Sequence, residues 1–152
     1  MVKYRSLSTE ELKAFEKEFI DFLVINGIVA DDWEKIKKES PEKADGIIDN
    51  FSDVILEGTL RKVEFIEFIT PKSIKCFQCL SKEIILVGVD ANKDSETDFT
   101  SRDWNNNLDG LKIYTTKKEY NQHGREKEIF NMLDGGATVS KGELFKQLCL
   151  AL

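Results

Sequence analysis

Between Ala44 and Val89 the chain passes directly from a long helical stripe into its most β-prone, least charged stretch, and few folds accommodate that succession. Ala44, Ile47, Ile48, Phe51, Val54, Ile55 and Gly58 recur three and four apart, the period of one apolar helix face. Ser40 before Pro41 gives that helix a start, since proline at the first helical position loses an N–H that would have no partner anyway. After Lys62 the period changes. Val63–Ile69, Ile74–Leu80 and Ile84–Val89 are short, β-branched or aromatic runs separated by Thr-Pro-Lys and Ser-Lys turns, and they predict an antiparallel meander. Val63, Ile66 and Ile69 are also spaced to continue the helix, and a run this short leaves both readings open.

Helices are expected on either side of the meander. Ser8 and Glu11 have the spacing of a capping box, followed by Leu12, Phe15, Phe19, Phe22 and Leu23 at helical intervals and by Asn26-Gly27 as a left-handed stop. Asp31 with Glu34 repeats the box before a short helix carrying Trp33 and Ile36. Residues 90–110 are rich in Asp, Asn, Ser and Thr and read as a long loop, after which Leu111–Thr115 adds a possible fourth strand. Glu126–Leu133 is helical up to Gly135-Gly136, and Ser140 with Glu143 caps a last helix holding Leu144, Phe145 and Leu148. The expected fold is therefore α+β: a small antiparallel sheet of three or four strands, residues 63–115, with the helices of both ends on one face. With 152 residues, enough to bury roughly 70% of the unfolded surface, a single domain over 1–152 is expected.

Charge and composition remove several function classes. The net charge is -6, distributed as -4 over residues 1–62 and -1 over each of 63–92 and 93–152, so there is no basic arm to displace counterions from phosphate. Nucleic acid is not an expected partner. The start MVKYRSLSTEEL has no apolar export segment and no later run approaches a membrane span, which predicts a cytoplasmic protein with no membrane partner and free thiols. The run EIFNMLDGGATVSKGELFKQL has the cadence of two helices of a winged helix-turn-helix, but the sequence ends before a recognition helix.

Two groups of side chains could hold a metal. Cys76, Cys79, Cys149 and His123 supply the ligand types of a Cys3His zinc site, although residues three apart on a strand point to opposite faces. Asp90, Asn92, Asp94, Glu96 and Asp98 alternate like calcium ligands, yet Ser95 stands where the loop needs glycine and Ser101 where it needs a bidentate glutamate. A metal-binding protein or metal-dependent hydrolase using carboxylates of the acidic loop 90–103 or the Cys/His set is the alternative reading. His123 is the sole histidine, no glycine-rich phosphate loop or nucleophile elbow is present, and no cofactor is expected. These features lean away from an enzyme.

The charge pattern of the long helix is the anomaly. Asp45, Asp49, Asp53 and Glu57 stand four apart, one acidic ridge beside the apolar stripe. Like charges at that spacing repel by about 0.2–0.5 kcal/mol per pair unless something neutralises them. The preferred reading is a non-enzymatic protein-interaction domain that presents this ridge, with Trp33 beside it, to a protein partner; the bland reading is a solvated face. A homodimer formed through an uncovered sheet face or edge is a further possibility.

Three blocks carry a resemblance: Lys3-Tyr4-Arg5; Phe51-Ser52-Asp53-Val54 with Glu57-Gly58 and Lys62-Val63-Glu64-Phe65; and Ser140-Lys141-Gly142-Glu143-Leu144-Phe145. In these the chain resembles a family of small cytosolic proteins of unknown function from Bacteroidetes-type bacteria. The resemblance implies a bacterial, cytosolic, single-domain protein and brings no activity, cofactor or site residue with it.

Overall fold

The computed structural model describes residues 2–92, 96–101 and 111–152. It is an α+β structure that divides into two compact units, Met1–Thr59 and Leu60–Leu152.

The first unit is helical. The Ser8 capping box forms in both directions and opens α1 (Thr9–Ala14). Phe15 then leaves the helical region (φ -104°, ψ 25°), so the single helix expected from the apolar spacing is two, the second being α2 (Glu16–Ile25). It ends at Gly27, whose φ of 76° is the left-handed stop that the sequence implied. The box expected at Asp31 does not form. Val29 is the N-cap of α3 (Ala30–Glu39), which puts Asp31 and Asp32 inside the first turn, where carboxylates offset the positive end of the helix dipole. The long α4 (Pro41–Arg61) follows. Phe51, 1% exposed, is the centre of this unit, with Phe19 at 5.0 Å and Phe22 at 5.4 Å between ring centroids. Val54 belongs to the apolar spacing but is exposed, so the buried stripe is narrower than the sequence suggested.

The second unit carries an open antiparallel sheet of five strands in the order β4-β3-β2-β1-β5. The strands are β1 (Phe65–Thr70), β2 (Ser73–Cys79), β3 (Glu83–Asp90), β4 (Lys112–Glu119) and β5 (Thr138–Ser140); the two helices are α5 (Arg125–Asp134) and α6 (Glu143–Leu150). Residues 65–70 are thus strand and not a continuation of α4. The expectation of three or four strands within 63–115 is corrected by β5, which arrives from beyond α5 and pairs Phe65 with Ser140 and Glu67 with Thr138. Ser140 consequently lies in a strand and does not cap α6; its hydroxyl accepts the Gly142 N–H, and Gly142 is the N-cap.

One sheet face holds Phe65, Ile74, Cys76, Val87 and Val89 and is packed by Phe145 and Leu148 of α6. Lys118, opposite Ile84 in register, projects to the other face and meets Glu128 of α5. The two C-terminal helices therefore engage opposite faces, which corrects the expectation that the helices share one face. A Cβ on Gly142 would stand 2.6 Å from the Phe65 ring, so only glycine lets α6 begin this close to β1.

Candidate functional site

α4 presents its acidic ridge to residues 3–7 of the same chain, which run beside it as a strap without regular secondary structure. Both carboxylate oxygens of Asp53 accept the Lys3 backbone N–H, each at 2.9 Å, and one of them also accepts the Tyr4 N–H at 3.2 Å. Glu57 accepts the Tyr4 hydroxyl and the Lys3 ammonium, the latter at 3.3 Å. Asp49 accepts the Ser6 hydroxyl. One turn of helix separates each of these acceptors, so the ridge matches an extended peptide lying along it.

The strap is fixed at its C-terminal end by Ser52, a polar side chain with no exposed surface. Its hydroxyl donates to the Ile48 carbonyl at 2.7 Å and accepts the Leu7 N–H at 2.9 Å, which satisfies both of its hydrogen-bonding roles. Tyr4 and Leu7 are buried, whereas Arg5 reaches Glu11 with two bonds at 2.8 and 3.0 Å. The Arg5 guanidinium and the Ser8 N–H hold the Glu11 carboxyl down at about 2. Beyond Ser6 a cavity of about 400 Å³ opens, lined by Leu7, Thr9, Leu12, Asp45, Ile48 and Asp49. Asp45 is exposed; Asp49, Asp53 and Glu57 are half-buried under the strap.

Trp33 is half-buried, its ring edge-on to Phe19 at 5.2 Å, and so contributes to the aromatic packing of this unit.

The metal candidates do not converge. Cys76 is fully buried on the α6 face of the sheet, and Cys79 points to the opposite face, as strand alternation requires. Burial pushes the Cys76 thiol up to about 12 and the Cys79 thiol to about 11. Cys149 is exposed on α6, and His123 is exposed in the turn before α5. In the acidic loop, Asp94 lies outside the described residues, and Asp98 spends one oxygen on the N–H and hydroxyl of Thr100. Asp90 pairs in register with Lys112 at the end of β3, while Asn92 and Glu96 are exposed. Among the described residues no three His, Cys, Asp or Glu side chains are placed to hold one ion.

Sequence reasoning found the ridge but missed what lies on it and missed Ser52. A signal was present: Lys3-Tyr4-Arg5 and Phe51-Ser52-Asp53 are both blocks of the resemblance, and they prove to be the two sides of one contact.

Fold and site together define an α+β protein whose longest helix carries a carboxylate ridge loaded with a segment of its own chain. The chain belongs to the Family of unknown function (DUF6495), whose model matches residues 1–152. No curated protein and no solved structure matches it. Among the described residues no helix is long and apolar enough to cross a membrane.

Proposed function

We propose that the protein is a non-enzymatic protein-interaction domain, acting in the bacterial cytoplasm as one domain over residues 1–152, whose contact surface is the α4 ridge Asp45, Asp49, Asp53 and Glu57. A Bacteroidetes-type source goes with this reading through the resemblance of the three sequence blocks. One observation carries the functional part: the ridge accepts backbone N–H groups, a tyrosine hydroxyl, a serine hydroxyl and an ammonium from a single extended segment. Those are the groups that a basic peptide offers, and acceptors one helical turn apart read them in order. The fate of like charges at i, i+4 follows: donors laid across the ridge replace their mutual repulsion with charge-assisted hydrogen bonds.

The experiment is partner capture from bacterial cytosol on the immobilised full chain, beside Asp49→Lys/Asp53→Lys of unchanged circular dichroism. Partners lost on charge reversal support the reading. An unchanged partner set refutes the ridge as the contact.

A further inference from the structure

We infer that the outer edge of β4 is a second docking surface, on which an acidic extended segment of a partner protein adds as a further strand of the sheet. The inference goes beyond the α4 ridge, because every residue it uses belongs to the unit Leu60–Leu152.

The two borders of the sheet are unequal. β5 offers three residues, whereas β4 offers eight, from Lys112 to Glu119. The inner side of β4 is paired with β3 over its whole length, and among the described residues no strand lies on its outer side. Residues 115–119 are exposed. Alternate residues of such a strand turn N–H and C=O outward, so this border is a row of bonding groups open to a further strand.

Charge selects what fits there. β4 holds three lysines and one glutamate, net +2 in a chain whose total is -6. Lys118 is engaged by Glu128, but Lys117 stands opposite Ile85 and has no carboxylate partner among the described residues. A second copy of β4 would meet this edge with the same positive charge, which is how edge lysines deter self-pairing. A carboxylate on the incoming strand instead completes a cross-strand ion pair with Lys117.

Shape selects on the opposite face of the strand. Phe77, Leu86 and Thr116 form one row across β2, β3 and β4, and with Ile84 and Lys118 they line a cavity of about 200 Å³. The row ends at the short side chain of Thr116, over which a bulky apolar group one strand further out reaches the cavity. An apolar cavity of about 150 Å³ already holds a benzene ring. The matching segment therefore alternates, with carboxylates on the Lys117 face and apolar side chains, one of them large, on the Phe77 face. Backbone bonds supply its affinity and the cavity its selectivity.

The test uses the full chain and the dye-labelled peptide Glu-Val-Glu-Phe-Glu-Val-Glu, read by fluorescence anisotropy, with amide exchange of β4 followed by NMR. The outward amides of β4 should exchange fast in the free chain and become protected on binding. Lys117→Glu, of unchanged circular dichroism, should weaken binding by about tenfold. Of two probes N-methylated on alternate residues, one should lose binding and the other keep it, because only one set of amides faces β4. Equal behaviour of those two probes overturns strand addition, and no binding of the parent peptide overturns the proposal altogether. Equal binding of Lys-Val-Lys-Phe-Lys-Val-Lys, or binding indifferent to Lys117→Glu, overturns the acidic occupant. Protection of the outward amides in the free monomer means that the chain covers its own edge; protection that grows with concentration, beside a dimer in light scattering, makes a second copy the occupant. Either result overturns the partner assignment. If Lys117→Glu fails to fold, the N-methylated pair and the exchange measurement on the native chain decide. The α4 ridge is untouched by any of these outcomes, since its own test changes Asp49 and Asp53.

Discussion

Replacing Arg125 with alanine should cost the sheet unit about 3–5 kcal/mol. The guanidinium, 14% exposed, donates Nε to the Leu80 carbonyl at 3.2 Å, Nη1 to Leu60 at 3.1 Å, and Nη2 to Cys79 at 3.2 Å and to Val63. It thereby joins the end of α4, the entry to β1 and the exit of β2. Two of these carbonyls keep another donor when it is gone: Leu80 has the Tyr120 hydroxyl and Leu60 has the Val63 N–H. The loss concentrates on Val63 and Cys79, each giving up a bond to a charged donor worth about 1.5–3 kcal/mol. The assay is urea unfolding of the full chain followed by NMR at the amides of β1 to β3, which reads this unit separately from the N-terminal helices. With a slope of about 1–3 kcal/mol/M, the midpoint should fall by about 2 M. Arg125→Lys should recover less than half, because an ammonium cannot span a fork of carbonyls. A loss under about 1 kcal/mol, or full stability in the lysine variant, would refute the reasoning.

Gly142→Ala should destabilise by about 2 kcal/mol or more, since it imposes a side chain at φ 85° and drives Cβ into the Phe65 ring; thermal unfolding measures it, and a neutral result would mean that α6 can shift freely. Of the three cysteines only Cys149 should react with a thiol reagent in the folded protein at pH 8, with Cys76 and Cys79 reacting after unfolding; a second rapid equivalent would contradict their burial. Because both buried thiols titrate above their unfolded values, their contribution to stability is intact at neutral pH and is lost as pH rises through the range from 9 to about 12, which alkaline unfolding would register. Glu11 works in the opposite sense. Its carboxyl is held at about 2, so the capping box and the Arg5 pair persist above the ordinary carboxylate range and are lost only as pH falls toward that value; an NMR titration of Glu11 with a midpoint near 4 would disprove the pairing.

Local signals in the sequence located most of the secondary structure, and the failures share a cause. Ser8 with Glu11, Asn26-Gly27 and Pro41 act within one turn of chain and read correctly. The meander was legible because its strands of 6, 7 and 8 residues are long enough to show a period. β5 has three residues and is a strand only because β1 lies beside it, so no window of sequence could reveal it. Asp31 and Ser140 carried the right cap chemistry at the wrong place, overridden where the chain enters each helix. At the site the ridge was visible as an electrostatic oddity four residues in period. Its occupant was not, since the contact joins residues 50 apart and depends on a serine, Ser52, that reads as an ordinary polar position. Arg125 is illegible for the same reason: its partners are backbone carbonyls, which leave no trace in side-chain identity.

The lateness of β5 has a consequence for how the chain folds. β1 to β3 are joined by tight turns and can zip up from local contacts, but β5 pairs Phe65 with Ser140, a closure that waits for α5 to be laid down. During synthesis the outer edge of β1 at Phe65, Ile66 and Glu67 therefore stays open until residue 140 has emerged, and any other chain presenting a strand in that interval competes for it. Three late residues thus shift the border of the sheet on that side to β5, an edge strand of only three residues and a poor template for further pairing.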